Sequence, residues 1–171
     1  KESSQIDFAV LDFIALLRCS VLDRFFSLYT HIGDGGVVWI ATALICLCFK
    51  KTRKTGLTMA LALIFGALIA NVTLKPLVAR LRPFQMSGAE ILISAPKDFS
   101  FPSGHTVSSF AAALAIFRNN KKWGSAALVV ASLIAFSRLY LYVHFPSDVI
   151  AGLVIGIACG HISDKIINSR L

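Results

Sequence analysis

Three short clusters of charged and polar residues stand out in this chain because the residues around them are mostly apolar. The first cluster runs from Lys75 to Pro83, and besides Arg80 it contains two cations, Lys75 and Arg82, about two helical turns apart. Lys75 lies late in an apolar run, where an ionisable group is costly and usually marks a functional cavity. Taken alone, this cluster fits two interpretations: basic side chains that extend to lipid head groups, or ligands for an anion.

The second cluster, Phe101–His105, opens another apolar run. Ser103 is suited to the N-cap of a helix, and Gly104 lets a backbone N–H approach a ligand closely. Free amides at a helix N-terminus form an anion site, and His105 would project beside that anion. An ordinary capped helix with a histidine at the membrane interface explains the same residues equally well.

The third cluster, Ser137–Asp148, places Arg138 late in an apolar run and His144 in the turn that follows. Pro146 suits the first position of the next helix, so Asp148 lies in its first turn and can reach back to His144. A carboxylate on one imidazole nitrogen fixes the tautomer and leaves the other nitrogen free to attack. The alternative is a capping aspartate next to an interfacial histidine.

Together the clusters supply three cations, a helix N-terminus, two histidines and one carboxylate. Neighbouring cations would repel a divalent metal, and one carboxylate is too few to bind it. The same groups suit a phosphate dianion, which charged donors bind strongly. We therefore expect a phosphate site that uses no metal and no cofactor.

The elements that must position these clusters are membrane helices. Apolar residues make up 56% of the 171 residues, and the mean hydropathy is +0.74, more than a soluble domain of this size could bury. Some apolar runs are short against the ~30 Å of a bilayer's hydrocarbon core. We predict an all-α, polytopic membrane bundle with five to six transmembrane helices. The five apolar runs cover about 36–50, 56–78, 104–118, 123–143 and 147–168.

Residues 4–30 differ from these runs because charged residues interrupt their apolar pattern, which favours one or two amphipathic helices at the interface. One of these helices could still cross the membrane as a sixth span. The segment Thr30–Gly36 contains three glycines in its last four positions, so it predicts a break in the helix. We accordingly divide the chain into an N-terminal segment, 1–35, and a catalytic membrane domain, 36–171.

Basic residues in the connections predict the orientation. They fall between the first and second runs, between the third and fourth, and after the fifth, so alternating spans place all of them on one side. By the positive-inside rule that side is cytoplasmic, and the three clusters then face the extracytoplasmic side of the plasma or inner membrane. The net charge of +8 is explained in this way, and no nucleic-acid-binding motif is present. The basic residues are Lys50, Lys51, Arg53, Lys54, Arg118, Lys121, Lys122, Lys165 and Arg170.

In this order the clusters resemble the motifs KxxxxxxRP, PSGH and SRxxxxxHxxxD of the type 2 phosphatidic acid phosphatase (PAP2) superfamily. The motifs fall at Lys75–Pro83, Pro102–His105 and Ser137–Asp148, and every defining position matches. The resemblance covers about 75–152 closely. It implies a PAP2/chloroperoxidase-like helical core and the hydrolysis of a phosphate ester.

The resemblance also implies roles for the matching residues. His144 would be the nucleophile that forms a phosphohistidine, and Asp148 would orient it. His105 would protonate the leaving group and then activate the water. The residues implied to hold the phosphoryl oxygens are Lys75, Arg82, Ser103, Gly104 and Arg138.

A site at the outer end of a helical bundle can receive a head group while the lipid tail stays in the bilayer. We therefore expect a lipid phosphate from the outer leaflet as substrate: undecaprenyl diphosphate, phosphatidic acid or phosphatidylglycerophosphate. Undecaprenyl diphosphate is favoured slightly, on the family resemblance. The alternatives are an anion transporter, which would take up phosphate in liposomes, and a non-catalytic lipid-binding protein, which the complete set of motif residues disfavours.

Residues near the clusters carry weaker expectations. Arg80 could touch the substrate. His31 and Asp34, at the glycine break, could face the rim of the site, but a loop role is favoured for them. Tyr140 and Tyr142 resemble aromatic anchors at the membrane interface. Glycines at four-residue spacing in Gly152–Gly160 predict close helix packing.

Overall fold

Helices form most of residues 2–170, the part of the chain that this computed structural model describes; side-chain surroundings are described for residues 5–170. Within that part there is no strand, so the all-α prediction is confirmed. A 3₁₀ segment, Thr30–Gly36, joins α2 to α3, and a π-helical segment, Leu68–Leu74, joins α4 to α5. The helices are α1 (Glu2–Ala15), α2 (Ser20–Tyr29), α3 (Val37–Cys48), α4 (Arg53–Ala67), α5 (Lys75–Val78), α6 (Pro83–Ser87), α7 (Gly104–Asn119), α8 (Lys121–Tyr140) and α9 (Pro146–Arg170).

Four helical segments in the described residues are long and apolar enough to cross a membrane: Ser20–Cys48, Arg53–Ser87, Lys121–Tyr140 and Pro146–Arg170. They overlap four of the predicted runs, of which 56–78 and 147–168 lie wholly within them. The remaining run is α7, whose 16 residues span about 24 Å at the helical rise. Helices α4, α8 and α9 pack around α7, so this short helix forms the centre of the bundle.

Close packing of α9 against α7 brings two of the predicted clusters together. A Cβ added at Gly152, Gly156 or Gly160 would lie 2.7–2.9 Å from backbone carbonyl oxygens of α7, so only glycine permits this contact. The predicted packing role of these glycines agrees with the structure. Because the two helices are held this tightly, the backbone N–H of Ser103 can donate to the carbonyl of Asp148 at 3.1 Å.

The helix that carries Lys75 ends earlier than the sequence suggested. Because a proline disfavours helix at the residue before it, Pro83 predicts a helix end near Arg82, but α5 ends at Val78, and Ala79 takes a left-handed conformation with φ of 48°. Pro83 instead occupies the first turn of α6, where its missing N–H costs nothing. The reversal between α5 and α6 points Arg82 back into the bundle, where it is 2% exposed.

The predicted break at Thr30–Gly36 is present. Asp34 leaves the helical conformation with ψ of 125°, and Gly35 and Gly36 have φ of +58° and +67°, values that favour glycine. Upstream, α1 and α2 are separate helices, and the candidate span Ser20–Cys48 includes α2, the break and α3. The division of the chain at residue 35 stays a prediction.

Tyr140 and Tyr142 do not act as interfacial anchors, contrary to the expectation from sequence. They are 1% and 6% exposed. The Tyr140 hydroxyl donates to Asp23 at 2.6 Å and the Tyr142 hydroxyl donates to Asp12 at 2.8 Å. Because buried hydroxyls need partners, these bonds fasten α1 and α2 to the end of α8 next to the third cluster.

Candidate active site

The three cations of the sequence clusters meet at one end of the bundle. Lys75 is at the start of α5, Arg82 precedes α6, and Arg138 is in the last turn of α8; all three are buried. Together with His105 and His144 they line a cavity of about 260 Å³. Residues far apart in the chain therefore form one cationic pocket, as the anion interpretation of the clusters requires.

Arg82 and His144 are in direct contact in this pocket. The Arg82 Nη1 lies 3.0 Å from the His144 Nε2 and donates to the carbonyl of Val143 at 2.7 Å. A guanidinium can only donate hydrogen bonds, so the Nε2 accepts, and the neutral ring carries its proton on Nδ1. The nitrogen that carries the lone pair thus points at Arg82, a predicted phosphate ligand.

The other nitrogen of His144 faces Asp148, as predicted, but over 3.6 Å rather than hydrogen-bond distance. Ser100 lies beside the gap: its Oγ is 3.5 Å from the His144 Nδ1 and donates to the Asp148 Oδ2 at 2.5 Å. The backbone N–H of Phe145 donates to the same carboxylate oxygen at 2.9 Å. The Asp148 side chain is therefore fixed on the Nδ1 side of the ring by a serine that sequence reasoning missed.

Burial lowers the pKa of His144 to about 3, and the charges of Arg82 and Arg138 act in the same direction against the opposing effect of Asp148. The ordinary value for histidine is near 6.5. His144 is therefore neutral at physiological pH, which is the state in which an imidazole nitrogen can act as a nucleophile.

Arg80 contacts Asp148 from the side opposite Ser100. Its Nη1 donates to the Asp148 Oδ1 and to the Ser147 Oγ, both at 2.7 Å, while its Nη2 donates to Asp7 at 2.7 Å. Its guanidinium carbon lies 3.9 Å from the centre of the Phe145 ring. Arg80 thus supports the His144–Asp148 turn, and α1 contributes Asp7 to that support.

The N-terminus of α7 presents the second cluster to the same pocket. Ser103 occupies the N-cap position, but its hydroxyl accepts a bond from Thr106 at 2.9 Å instead of capping a backbone N–H, so the predicted side-chain cap is wrong. A Cβ added at Gly104 would lie 3.0 Å from the Asn71 Oδ1 and 3.8 Å from the Lys75 Nζ. The glycine keeps the space between α7 and Lys75 open.

Asp98 lies between two of the cations. It forms ion pairs with Lys75 and, at 2.7 Å, with the Nη2 of Arg82, whose Nε also donates to its backbone carbonyl at 2.9 Å. Burial alone would raise the pKa of Asp98, but the bonds and charges of Lys75 and Arg82 outweigh it and lower that pKa to about 2. The carboxylate occupies a place where a phosphate oxygen could bind.

The break between α2 and α3 provides a hydrogen-bond acceptor for Arg138. Its Nη1 donates to the Thr30 Oγ1 at 2.6 Å, and the same oxygen accepts from Ser137 at 3.1 Å. The Thr30–Gly36 segment also reaches the second cluster, where the Asp34 Oδ1 lies 2.9 Å from the His105 Nε2. Asp34 therefore contacts a predicted catalytic histidine, which agrees with a position at the rim of the site, the less favoured of its two interpretations from sequence.

Sequence reasoning missed Asp98, Ser100, Asp7 and Thr30. Only a weak indication of Asp98 and Ser100 is present in the sequence, because both lie within the seven residues before His105. Asp98 is also one of only nine acidic residues in the chain. Asp7 and Thr30 had none, because each lies more than 100 residues from its partner in the third cluster.

Comparison with known proteins decides the family. The model of the PAP2 superfamily matches residues 54–170. The chain belongs to the PAP2 superfamily. The matched region contains the pocket residues of all three clusters, from Lys75 to Asp148.

Its relatives include membrane lipid phosphatases. An undecaprenyl-diphosphatase from Sulfolobus acidocaldarius is 36% identical over 121 residues, which cover 70% of this chain and 58% of that relative. LpxE from Aquifex aeolicus has a similar structure, with a TM-score of 0.82, 29% identity, and coverage of 92% of this chain and 94% of that one. A PAP2-type phosphatidylglycerolphosphate phosphatase from Bacillus subtilis gives a TM-score of 0.81 at 25% identity, covering 99% and 88%. The predictions of a PAP2-type membrane bundle and of a lipid phosphatase are confirmed.

Proposed function

We propose that this PAP2 protein removes the terminal phosphate of a lipid diphosphate or monophosphate from the outer leaflet, with undecaprenyl diphosphate as the first candidate, through a phosphohistidine on His144. The observation that carries the proposal is the contact of 3.0 Å between the His144 Nε2 and Arg82 inside a pocket lined by three cations. This contact supports the proposal because it brings the proposed nucleophile next to a cation proposed to hold the phosphate.

A second cavity supports a lipid substrate. It has a volume of about 310 Å³, begins at Lys75 and His105, and continues between α3, α4 and α7. Asn71 and Ser108 add two polar side chains to its lining, and most of the lining away from the cations is glycine or apolar: Gly36, Ile40, Leu63, Gly66, Ala67 and Val107. An apolar groove that leads from a phosphate pocket suits a phosphorylated head group whose hydrocarbon chain remains in the bilayer.

In the first chemical step, the His144 Nε2 lone pair attacks phosphorus and the bond from phosphorus to the leaving oxygen breaks. His105 gives its proton to that oxygen. The positive charge that develops on the His144 ring is balanced by Asp148, which Ser100 and Arg80 hold in place. Lys75, Arg82 and Arg138 stabilise the charge on the phosphoryl oxygens.

In the second step, a water molecule attacks the phosphohistidine. His105 accepts the proton of that water, the bond between nitrogen and phosphorus breaks, and inorganic phosphate leaves. Asp98 must release Lys75 and Arg82 when phosphate binds, since one carboxylate and one phosphate cannot share both cations.

The active site faces the extracytoplasmic side of the plasma or inner membrane in this proposal. The basic residues near 50–54, 118–122 and 165–170 lie at the opposite ends of the spans from the pocket, which supports this orientation. The relative named undecaprenyl-diphosphatase supports the choice of first substrate.

Phosphate release in detergent tests the proposal with undecaprenyl diphosphate, phosphatidic acid, phosphatidylglycerophosphate and a soluble phosphomonoester. We expect the lipid substrates to be hydrolysed faster than the soluble ester, with undecaprenyl diphosphate fastest. Release from none of the lipids, or uptake of phosphate into liposomes without release, would overturn the proposal.

Two histidine variants serve as a matched pair in this assay. His144→Ala should abolish release, because the nucleophile is missing. His161→Ala, at the other end of α9, should keep activity within about two-fold of the unaltered chain, as surface substitutions usually do. A fully active His144→Ala protein would exclude the histidine mechanism.

A further inference from the structure

A carboxylate outside the three motif clusters holds the second histidine of the site. The Asp34 Oδ1 lies 2.9 Å from the His105 Nε2. We propose that Asp34 is a positioning residue that holds the His105 ring by its Nε2 and leaves the Nδ1 to exchange a proton with the substrate. This inference rests on the proposed function, in which His105 is the acid and base.

The shape of the break between α2 and α3 supports this assignment independently of the hydrogen bond. A Cβ added at Gly33 would lie 2.6 Å from the His105 Cδ2 and 2.9 Å from the Ile134 Cγ2. The absence of a side chain at Gly33 therefore lets the backbone of the break approach the Cδ2–Nε2 edge of the ring. Immediately after it, Asp34 turns out of the helical conformation with ψ of 125°.

His31 fixes the other oxygen of the same carboxylate. Its Nδ1 lies 2.6 Å from the Asp34 Oδ2, so both carboxylate oxygens are engaged although the Asp34 side chain is 54% exposed. A side chain at that exposure is ordinarily mobile, and two simultaneous bonds restrict it. The result is a chain of three groups, His31, Asp34 and His105, that leads from the solvent-exposed rim to the acid–base residue.

The charged groups around the His105 ring support a positioning role for Asp34. The cations that face this ring are Lys75 from α5 and Arg138 from α8, both of which serve to bind phosphate. Asp34, from the break, is the carboxylate in contact with the ring among the described residues. A ring that alternates between acid and base needs one nitrogen fixed while the other exchanges its proton, and this contact supplies that fixed nitrogen.

Steady-state kinetics with undecaprenyl diphosphate test the inference through Asp34→Asn and Asp34→Glu. We expect Asp34→Asn to lower kcat by about 10–100-fold with KM within two-fold, less than the ~10²–10⁴ that a whole acid–base group contributes. Asp34→Glu should restore most of the loss because it keeps the carboxylate. Glu90→Gln, which removes an exposed carboxylate in the 88–103 connection, is the matched control and should stay within two-fold.

A double variant distinguishes positioning from a structural role. If Asp34 acts through His105, then Asp34→Asn should cause no further loss in a His105→Asn background. Any of three results would overturn the inference. The two variants could each lower kcat by independent factors that multiply in the double variant, Asp34→Asn could keep the wild-type kcat, or Asp34→Glu could lose as much kcat as Asp34→Asn. These outcomes are separate from failure of the proposed function, in which the unaltered chain itself would release no phosphate from lipid.

Discussion

Replacement of Arg82 by lysine tests whether the pocket needs the shape of a guanidinium or only its charge. The guanidinium is 2% exposed and uses all three of its nitrogens. Nη1 serves Val143 and His144, while Nε and Nη2 serve Asp98. A lysine has one nitrogen on a flexible chain. It can therefore donate either to Val143 and His144 or to Asp98, and the other set of hydrogen bonds is lost.

The loss follows from the bonds that lysine abandons. Hydrogen bonds to charged groups contribute about 1.5–3 kcal/mol each, and a buried partner left unpaired costs more. We count two lost bonds and reduce the contribution of the bond to Asp98, because that side chain is 54% exposed. The free energy of unfolding should then decrease by about 2–4 kcal/mol. Because one donor to a transition-state oxygen supplies ~10²–10³ in kcat, we expect Arg82→Lys to lose at least that factor in kcat/KM.

The assay is phosphate release from undecaprenyl diphosphate together with thermal unfolding in the same detergent. Arg24→Lys, an exposed arginine on α2, is the matched control and should change neither quantity. An Arg82→Lys protein with kcat/KM within three-fold of the unaltered chain and an unchanged Tm would refute the reasoning, because it would show that charge alone suffices.

Three further variants and one additive extend the test. Ser100→Ala should lower kcat by at least about ten-fold with KM unchanged, since it removes a donor of ~1.5–3 kcal/mol from the carboxylate next to His144; an unchanged kcat would contradict the role of Ser100. Gly104→Ala should raise KM several-fold, because the new Cβ would fill the space between α7 and Lys75, 3.0 Å from the Asn71 Oδ1 and 3.8 Å from the Lys75 Nζ; an unchanged KM would show that phosphate does not use this space. The pKa of Asp98 is lowered to about 2, so its carboxylate stabilises the fold above its ordinary pKa near 4, and this stability is lost as the pH falls from there through 2. The decrease in Tm caused by Asp98→Asn should therefore be largest near pH 6 and become smaller below pH 4. A decrease that does not change with pH would contradict the ion pairs. Excess EDTA should leave phosphate release unchanged, and a loss that Mg²⁺ restores would contradict metal-free chemistry.

The fold and the motif residues were predictable because their determinants are local. Apolar runs of adequate length define the spans, and the reach of Asp148 back to His144 follows from a helix that starts at Pro146. The convergence of Lys75, His105 and Arg138 followed from topology, since alternating spans place all three at one end of the bundle. The family resemblance added roles to residues that the geometry then placed in one pocket.

The supporting contacts were not predictable because they join distant segments whose approach depends on packing. Asp7 reaches Ser147 across 140 residues, and Tyr142 reaches Asp12 across 130. The aspartates of α1 and α2 suggested a polar helix face toward water, whereas the structure uses three of them as acceptors for donors of the third cluster and its supporting Arg80: Asp7, Asp12 and Asp23. Arg82 likewise lies in the pocket because the chain reverses direction at Ala79. The motif positions gave no indication of this reversal.

The most direct test of the account is to trap the covalent intermediate. Undecaprenyl diphosphate labelled in its terminal phosphate is mixed with the protein, quenched in alkali within one turnover, and the protein is digested for mass spectrometry. The account predicts an alkali-stable, acid-labile phosphate on His144 that forms and decays at rates compatible with turnover and is absent from His144→Ala. Normal turnover with no label on the protein, or label on a residue other than His144, would contradict it.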